Sequence, residues 1–190
     1  MQVMQVIRRC LPMLLALGGM LLPLDASAQV NPQTRQTRQG FWINFGLGYG
    51  TLGCVDCSDR EGGLSGGLAL GGTLGERWLL GVGTTGWTKS EEGATLTAST
   101  ITATARFYPA LGSGFFLLGG LGLGSLDARF DYQGFAVSAG RTGAGAVLGL
   151  GWDLRVGDNV SLTPFWNGYA IALDGGDANV GQLGIGLTVH

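Results

Sequence analysis

Histidine is almost missing: the 190 residues include one, His190, alongside three cysteines and five prolines. Each scarcity removes a class of function. A Ser–His–acid hydrolase needs a histidine held rigidly beside a nucleophile, and His190 ends the chain, so catalysis is not expected. No histidine lies near Cys54 and Cys57 to complete a zinc tetrahedron, and the third cysteine, Cys10, precedes the mature protein, so no metal or cofactor is expected. Charge is sparse as well. Lys and Arg number 11 against 13 Asp and Glu, a net charge of −2, which leaves no basic footprint for nucleic acid. Beyond Ala28 no apolar run is long enough for a helical membrane span. What the chain has in excess is glycine, 37 residues, far above the roughly 7 % norm. There is no three-residue period, which excludes collagen, and a regular apolar alternation argues against low-complexity disorder.

The chain opens as an export signal. Arg8 and Arg9 precede an apolar run from Leu11 to Leu24, broken by Pro12, Gly18, Gly19 and Pro23, and Ala26-Ser27-Ala28 supplies an A-x-A cleavage site. A membrane helix fits worse, because the run falls short of about 18 residues and two prolines interrupt it. Two adjacent arginines do not make a twin-arginine address when the flanks add nothing, and Cys10 does not sit where a lipoprotein is acylated. Residues 1–28 are therefore read as a signal peptide and residues 29–39, with Thr-Arg-Gln repeated at 34–36 and 37–39, as a flexible periplasmic lead-in. The mature chain of 162 residues then carries nine basic and twelve acidic side chains and fits one domain.

Residues 40–190 alternate large with small. In the stretch 62–87, Leu64, Leu68, Leu70 and Leu74 share one parity while Ser65, Gly67, Ala69, Gly71 and Thr73 share the other. Trp78, Leu80 and Val82 then alternate with Gly81, Gly83 and Thr85, and Leu74-Gly75-Glu76-Arg77 makes the turn. A period of two belongs to strands. In a soluble sandwich the second face would be long and polar; here it is glycine, alanine, serine and threonine. Small side chains fit a crowded barrel interior, and leucines facing outward need a bilayer. A closed barrel also leaves no backbone group unsatisfied in hydrocarbon.

The same rule carries the rest of the chain. Phe41, Ile43, Phe45, Leu47 and Tyr49 face outward in the first strand, and Leu183, Ile185, Leu187 and Val189 do so in the last. Between them the spacing predicts eight strands with short turns near Gly75, Pro109 and Gly157 on one side and longer polar loops on the other. Pro164 is the weak point, since a strand-interior proline removes a ladder donor. On the inward parity, Asn44, Arg106, Asp153 and Asn167 are the candidate polar or charged lumen residues. Arg106 needs a counter-charge, and Asp153, at the same end, is the expected partner. Of the five tryptophans, Trp87 is the expected lumen aromatic, and most of the others are expected as interface girdle or core fillers.

With its signal peptide, eight alternating strands, aromatic first strand and alternating apolar tail, the chain resembles the small OmpA/OmpX/OmpW-type outer-membrane β-barrels over residues 40–190. The resemblance implies an all-β, eight-stranded antiparallel up-and-down transmembrane β-barrel in the cell outer membrane, surrounded by its lipids. It also implies that the last strand is read by the barrel-assembly machinery, although Val189 and His190 stand where that signal usually ends in an aromatic. A structural or surface-interaction role through the loops 51–61 and 126–141, as a monomer with an extracellular ligand the sequence does not name, is the expected function. A narrow conduit or binder for small apolar molecules, and a soluble periplasmic lipocalin-like carrier with its leucines inside, are the alternatives.

Two loop features remain. Cys54-x-x-Cys57 reads as a small structural disulfide in an oxidising compartment, with free thiols, a redox pair or half a metal site as the other readings. Asp56, Asp59 and Glu61 have no EF-hand spacing. The letters GLGYG are not a phosphate loop, because no helix follows whose N-terminus could hold an anion.

Overall fold

The computed structural model describes residues 38–54, 59–132 and 135–190. The expected signal peptide, most of the lead-in and Cys57 lie outside the described residues. Alternation of large and small side chains becomes strand throughout: β1 (Phe41–Cys54), β2 (Glu61–Gly75), β3 (Trp78–Glu91), β4 (Ala94–Phe107), β5 (Phe115–Tyr132), β6 (Phe135–Trp152), β7 (Leu154–Arg155), β8 (Val160–Ala172) and β9 (Ala178–Val189). Each long strand pairs antiparallel with its sequence neighbours, β1 pairs with β9, and β6 pairs with β8, so the sheet closes on itself. β7 is a two-residue continuation of β6 past Asp153 that keeps contact with Leu162 and Ser161 of β8. Eight strands cross, as the sequence predicts, and β8 continues through Pro164, which sits opposite Ile185.

The register fixes the dimensions of the cylinder. From Leu117 on β5, the paired residues run through Leu150, Trp166, Leu183, Tyr49, Leu64, Thr88 and Thr97. The circuit returns to β5 at Asp127, ten residues further along the same strand. A stagger of ten over eight strands tilts them by about 40° and gives a backbone radius of roughly 8 Å, wide enough for side chains but not for a wide pore.

Outward and inward faces separate as the bilayer argument requires. Phe41, Phe45, Leu47, Leu64, Leu121, Leu148, Leu183 and Ile185 are exposed, whereas Trp42, Leu79, Trp87, Phe116, Val147, Tyr169 and Ile171 are buried inside the cylinder. This corrects the alternative of a soluble carrier: the leucines line the outside, and the lipocalin-like arrangement needs them within. At the end holding Phe41 and Val189, Trp78 packs on Phe107 with ring centroids 4.7 Å apart, and Phe115 packs on Trp152 at 6.1 Å. Trp78, Trp152 and Phe107 are on the outward parity, so these pairs form an aromatic rim where such barrels carry one.

Glycine explains how the cylinder closes. At the β1–β9 seam, Gly48 lies opposite Gly184 and Gly46 opposite Gly186. A Cβ at Gly48 would overlap the Leu183 carbonyl oxygen, and one at Gly184 would overlap the Leu47 carbonyl oxygen. The obstacle is backbone, which cannot swing aside. Gly184→Val is expected to destabilise the refolded barrel by about 1–3 kcal/mol through overpacking, read as a lower urea midpoint. An unchanged midpoint would show that the seam is looser than its register. The β3–β4 connection is a two-residue turn with positive φ at both Glu92 (49°) and Gly93 (84°), the geometry that matches strand twist in a tight hairpin.

Candidate functional site

The lumen is built in three tiers. At the lower end, where the first and last strands meet the termini, Trp42, Leu79, Tyr108 and Phe116 form a buried aromatic plug. At the upper end Leu52, Trp87, Ala98, Val147, Tyr169, Ile171, Ala178 and Val180 form a second apolar plug. Two polar anchors fix it: Trp87 Nε1 donates to the Gly50 carbonyl at 3.0 Å and the Tyr169 hydroxyl donates to the Ala98 carbonyl at 3.3 Å. Between the plugs lies a chamber of about 40 Å³ whose lining includes Asn44, Thr102, Thr104, Arg106, Asn167 and Gln182.

A chain of hydrogen bonds ties the chamber floor across five segments of the barrel wall. Asn44 Nδ2 donates to Thr188 Oγ1 at 2.9 Å, and the hydroxyls of Thr188 and Thr163 are 2.8 Å apart. Thr163 Oγ1 donates to Asp153 Oδ1 at 2.7 Å, Thr188 Oγ1 approaches the same oxygen at 3.4 Å, and the Tyr108 hydroxyl donates to Asp153 Oδ2 at 2.7 Å. Asp153 can reach this position because it interrupts the strand between β6 and β7. Its backbone N–H bonds to the Gly114 carbonyl at 3.0 Å, and Gly114 has φ of +72° with no room for a Cβ against the Asp153 carbonyl.

All four lumen residues expected from the sequence line the interior: Arg106, Asp153 and Asn167 are buried and Asn44 is half-buried. The expected Arg106–Asp153 pair is replaced by another arrangement. The Arg106 guanidinium lies over two rings, 4.6 Å from the centroid of Trp42 and 4.8 Å from that of Phe116, while the Tyr108 and Thr163 hydroxyls donate to the Asp153 carboxylate. Trp87 is inside, as expected, and Trp42 joins it with no exposed surface. The same parity argument covers both, since Trp42 shares its face with Asn44, Gly46 and Gly48. Sequence reasoning also missed Arg38. It is buried, with its guanidinium carbon 3.6 Å above the Tyr108 ring, which places it as a cap under the lower plug. Extending the inward parity of Trp42 back through Gly40 reaches Arg38 and is the signal that was there to find.

The upper rim is held by polar contacts between loops. Arg60 donates to the Thr51 carbonyl and to Asn179 Oδ1, both at 2.7 Å, joining the first upper loop to the last. Arg141 donates to the Asp174 carbonyl at 2.7 Å. Lys89 contacts Glu61 at 2.5 Å and Glu91 at 2.7 Å. Donating to Glu61 and then to Glu91 raises the Lys89 ammonium above its ordinary range, and Lys89 lowers the Glu91 carboxyl. All three groups are solvent-screened, so these pairs add little stability. Cys54 ends β1 at this rim, and its expected partner Cys57 lies outside the described residues.

A closed eight-stranded cylinder with an apolar exterior and a small polar chamber between two plugs meets its counterpart in known proteins. The sequence profile of the outer membrane protein beta-barrel domain matches residues 15–190. The chain belongs to this family. Among solved structures, the fold of this outer-membrane barrel is similar to that of Ail, the attachment invasion locus protein of Yersinia pestis, in complex with the heparin analogue sucrose octasulfate. The TM-score is 0.61 at 17 % identity, covering 78 % of this chain and 99 % of that one. It is also similar to the Neisserial surface protein A, with a TM-score of 0.58 at 19 % identity, covering 79 % of this chain and 96 % of that one. At such identities the likeness is one of fold. Comparison with curated protein sequences finds no match. The protein is thus an integral outer-membrane β-barrel in the cell outer membrane, with its outward leucines in contact with lipid.

Proposed function

We propose that this barrel serves a structural and surface-interaction role through its extracellular loops, residues 51–61 and 126–141, with the short turns near Gly75, Pro109 and Gly157 in the periplasm. The observation that carries the reading is the β5–β6 hairpin. Both strands are 18 residues long, while the β6–β8 ladder begins only at Ala144. Among the described residues, the part of β6 above Ala144 is therefore paired on one side only, with β5. One face of the hairpin carries exposed Phe130 and Val137, directly opposite each other, and the other face carries Asp127, Arg129 and Ser138. An open edge with an apolar face and a charged face is suited to accepting an extended segment of another protein.

The test compares cells displaying the whole barrel with cells in which residues 127–140 are replaced by a two-residue Asn-Gly turn. The shortened barrel is expected to keep its heat-modifiable gel migration but to lose most adhesion to immobilised serum and matrix proteins. Equal adhesion by both would contradict the reading. The two plugs support a silent barrel, so single-channel recordings in planar bilayers are expected to show no conductance steps; defined steps would favour the conduit. The reading includes export with cleavage after Ala28, insertion by the barrel-assembly machinery, a monomeric barrel and a Cys54–Cys57 disulfide. N-terminal sequencing should then begin at Gln29, and thiol titration of the unfolded, unreduced mature protein should find no free thiol.

A further inference from the structure

The buried charges of the lumen do not balance. Among the described residues the buried charged side chains are Arg38, Arg106 and Asp153, two cations and one anion. The Asp153 oxygens already receive Tyr108, Thr163 and Thr188. Arg106 is 4 % exposed, and its Nε and Nη1 have no acceptor among the described residues. The faces of Trp42 and Phe116 lie beside its cation. Ring faces attract a cation but do not accept the N–H groups, which radiate in the plane of the guanidinium. Arg106 lines the chamber of about 40 Å³. Thr104 lines the same chamber, and its hydroxyl also has no partner among the described residues. Asn167 and Gln182, whose carbonyl oxygens likewise have no partner among the described residues, line it too and offer acceptors.

Water alone would satisfy the donors and leave the charge, and an unpaired buried cation is costly. A small anion answers both needs. About 10–15 Å³ admits one water, so the chamber takes one monatomic ion with a water or two for the amide oxygens, and is too small for phosphate or a carboxylic acid with its own waters. We propose that the lumen binds a single halide ion, chloride in ordinary salt, held by the Arg106 guanidinium and the Thr104 hydroxyl. The ion completes the interior between the two plugs. It sits where the barrel must close around it, so its binding adds to the stability of the folded state alone.

The test uses the full mature barrel refolded in detergent. Crystals grown in bromide are expected to show an anomalous peak within hydrogen-bonding distance of the Arg106 guanidinium; a chamber holding only water there would overturn the proposal. Independently, the unfolding midpoint is expected to rise with chloride at fixed ionic strength, with gluconate as the balancing anion. Thr104→Val, which keeps shape and removes one donor to the ion, should raise the chloride concentration needed for half the effect by at least about tenfold. Arg106→Met should abolish the chloride dependence. A midpoint equal in chloride and gluconate, or the same chloride response in Thr104→Val as in the parent, would overturn it even if Arg106→Met does not refold.

Discussion

Leu121→Arg lowers the stability of the barrel refolded in lipid vesicles by about 2–4 kcal/mol, the cost of a cation near the bilayer midplane on a lipid-facing strand. Leu121 is 73 % exposed and stands on β5 between the aromatic rim at Phe115 and the first outward acid, Asp127. Its cross-strand neighbours are Ala103 and Ala146, which offer no carboxylate to receive the guanidinium. In water such a substitution at an exposed position changes stability by no more than about 0.5 kcal/mol. The effect therefore reports the solvent around Leu121. The same substitution at Asp127, beyond the apolar band, is expected to have little effect, and equal losses at the two positions would point to disturbed strand pairing.

Asp153→Ala is expected to cost about 3–5 kcal/mol, because it removes the one buried acid among the described residues and leaves a buried arginine uncompensated. The Tyr108 and Thr163 hydroxyls lose their acceptor at the same time. Asp153→Asn separates the two contributions: it retains an oxygen for a hydroxyl and removes the charge. If hydrogen bonding dominated, Asn would restore most of the loss. With charge dominant, Asn falls close to Ala in the urea midpoint, and that is the expected order. A loss below about 1 kcal/mol for Asp153→Ala would show that water reaches the carboxylate site and screens it.

The lipid-facing half of the structure was legible because a bilayer makes the rule strict. A leucine at Leu183 or a phenylalanine at Phe45 has only one face on which it can lie, and the period of two assigns that face residue by residue. The same parity assigned Arg106, Asp153, Asn44 and Asn167 to the interior. It did not give the partners, because parity says which side a residue faces and not which residue stands across the lumen. That depends on the stagger of ten and on small rotations of each side chain. Tyr108 illustrates the difficulty: its ring lies under Arg38 while its hydroxyl takes Asp153, an arrangement no spacing encodes. The hairpin above Ala144 was visible as a longer segment, but its one-sided pairing required the neighbouring β8 to stop at Ala172.

The claim beneath all of this is that alternate residues divide between hydrocarbon and a closed interior, and tryptophan quenching by lipids brominated on their acyl chains tests it most directly. Single-tryptophan variants, with the other four replaced by phenylalanine, isolate each position. Trp166, exposed on the outer face, is expected to be strongly quenched, while Trp42 and Trp87, buried in the two plugs, keep their fluorescence. Quenching of Trp42 and Trp87 with Trp166 protected would turn the barrel inside out and contradict the account.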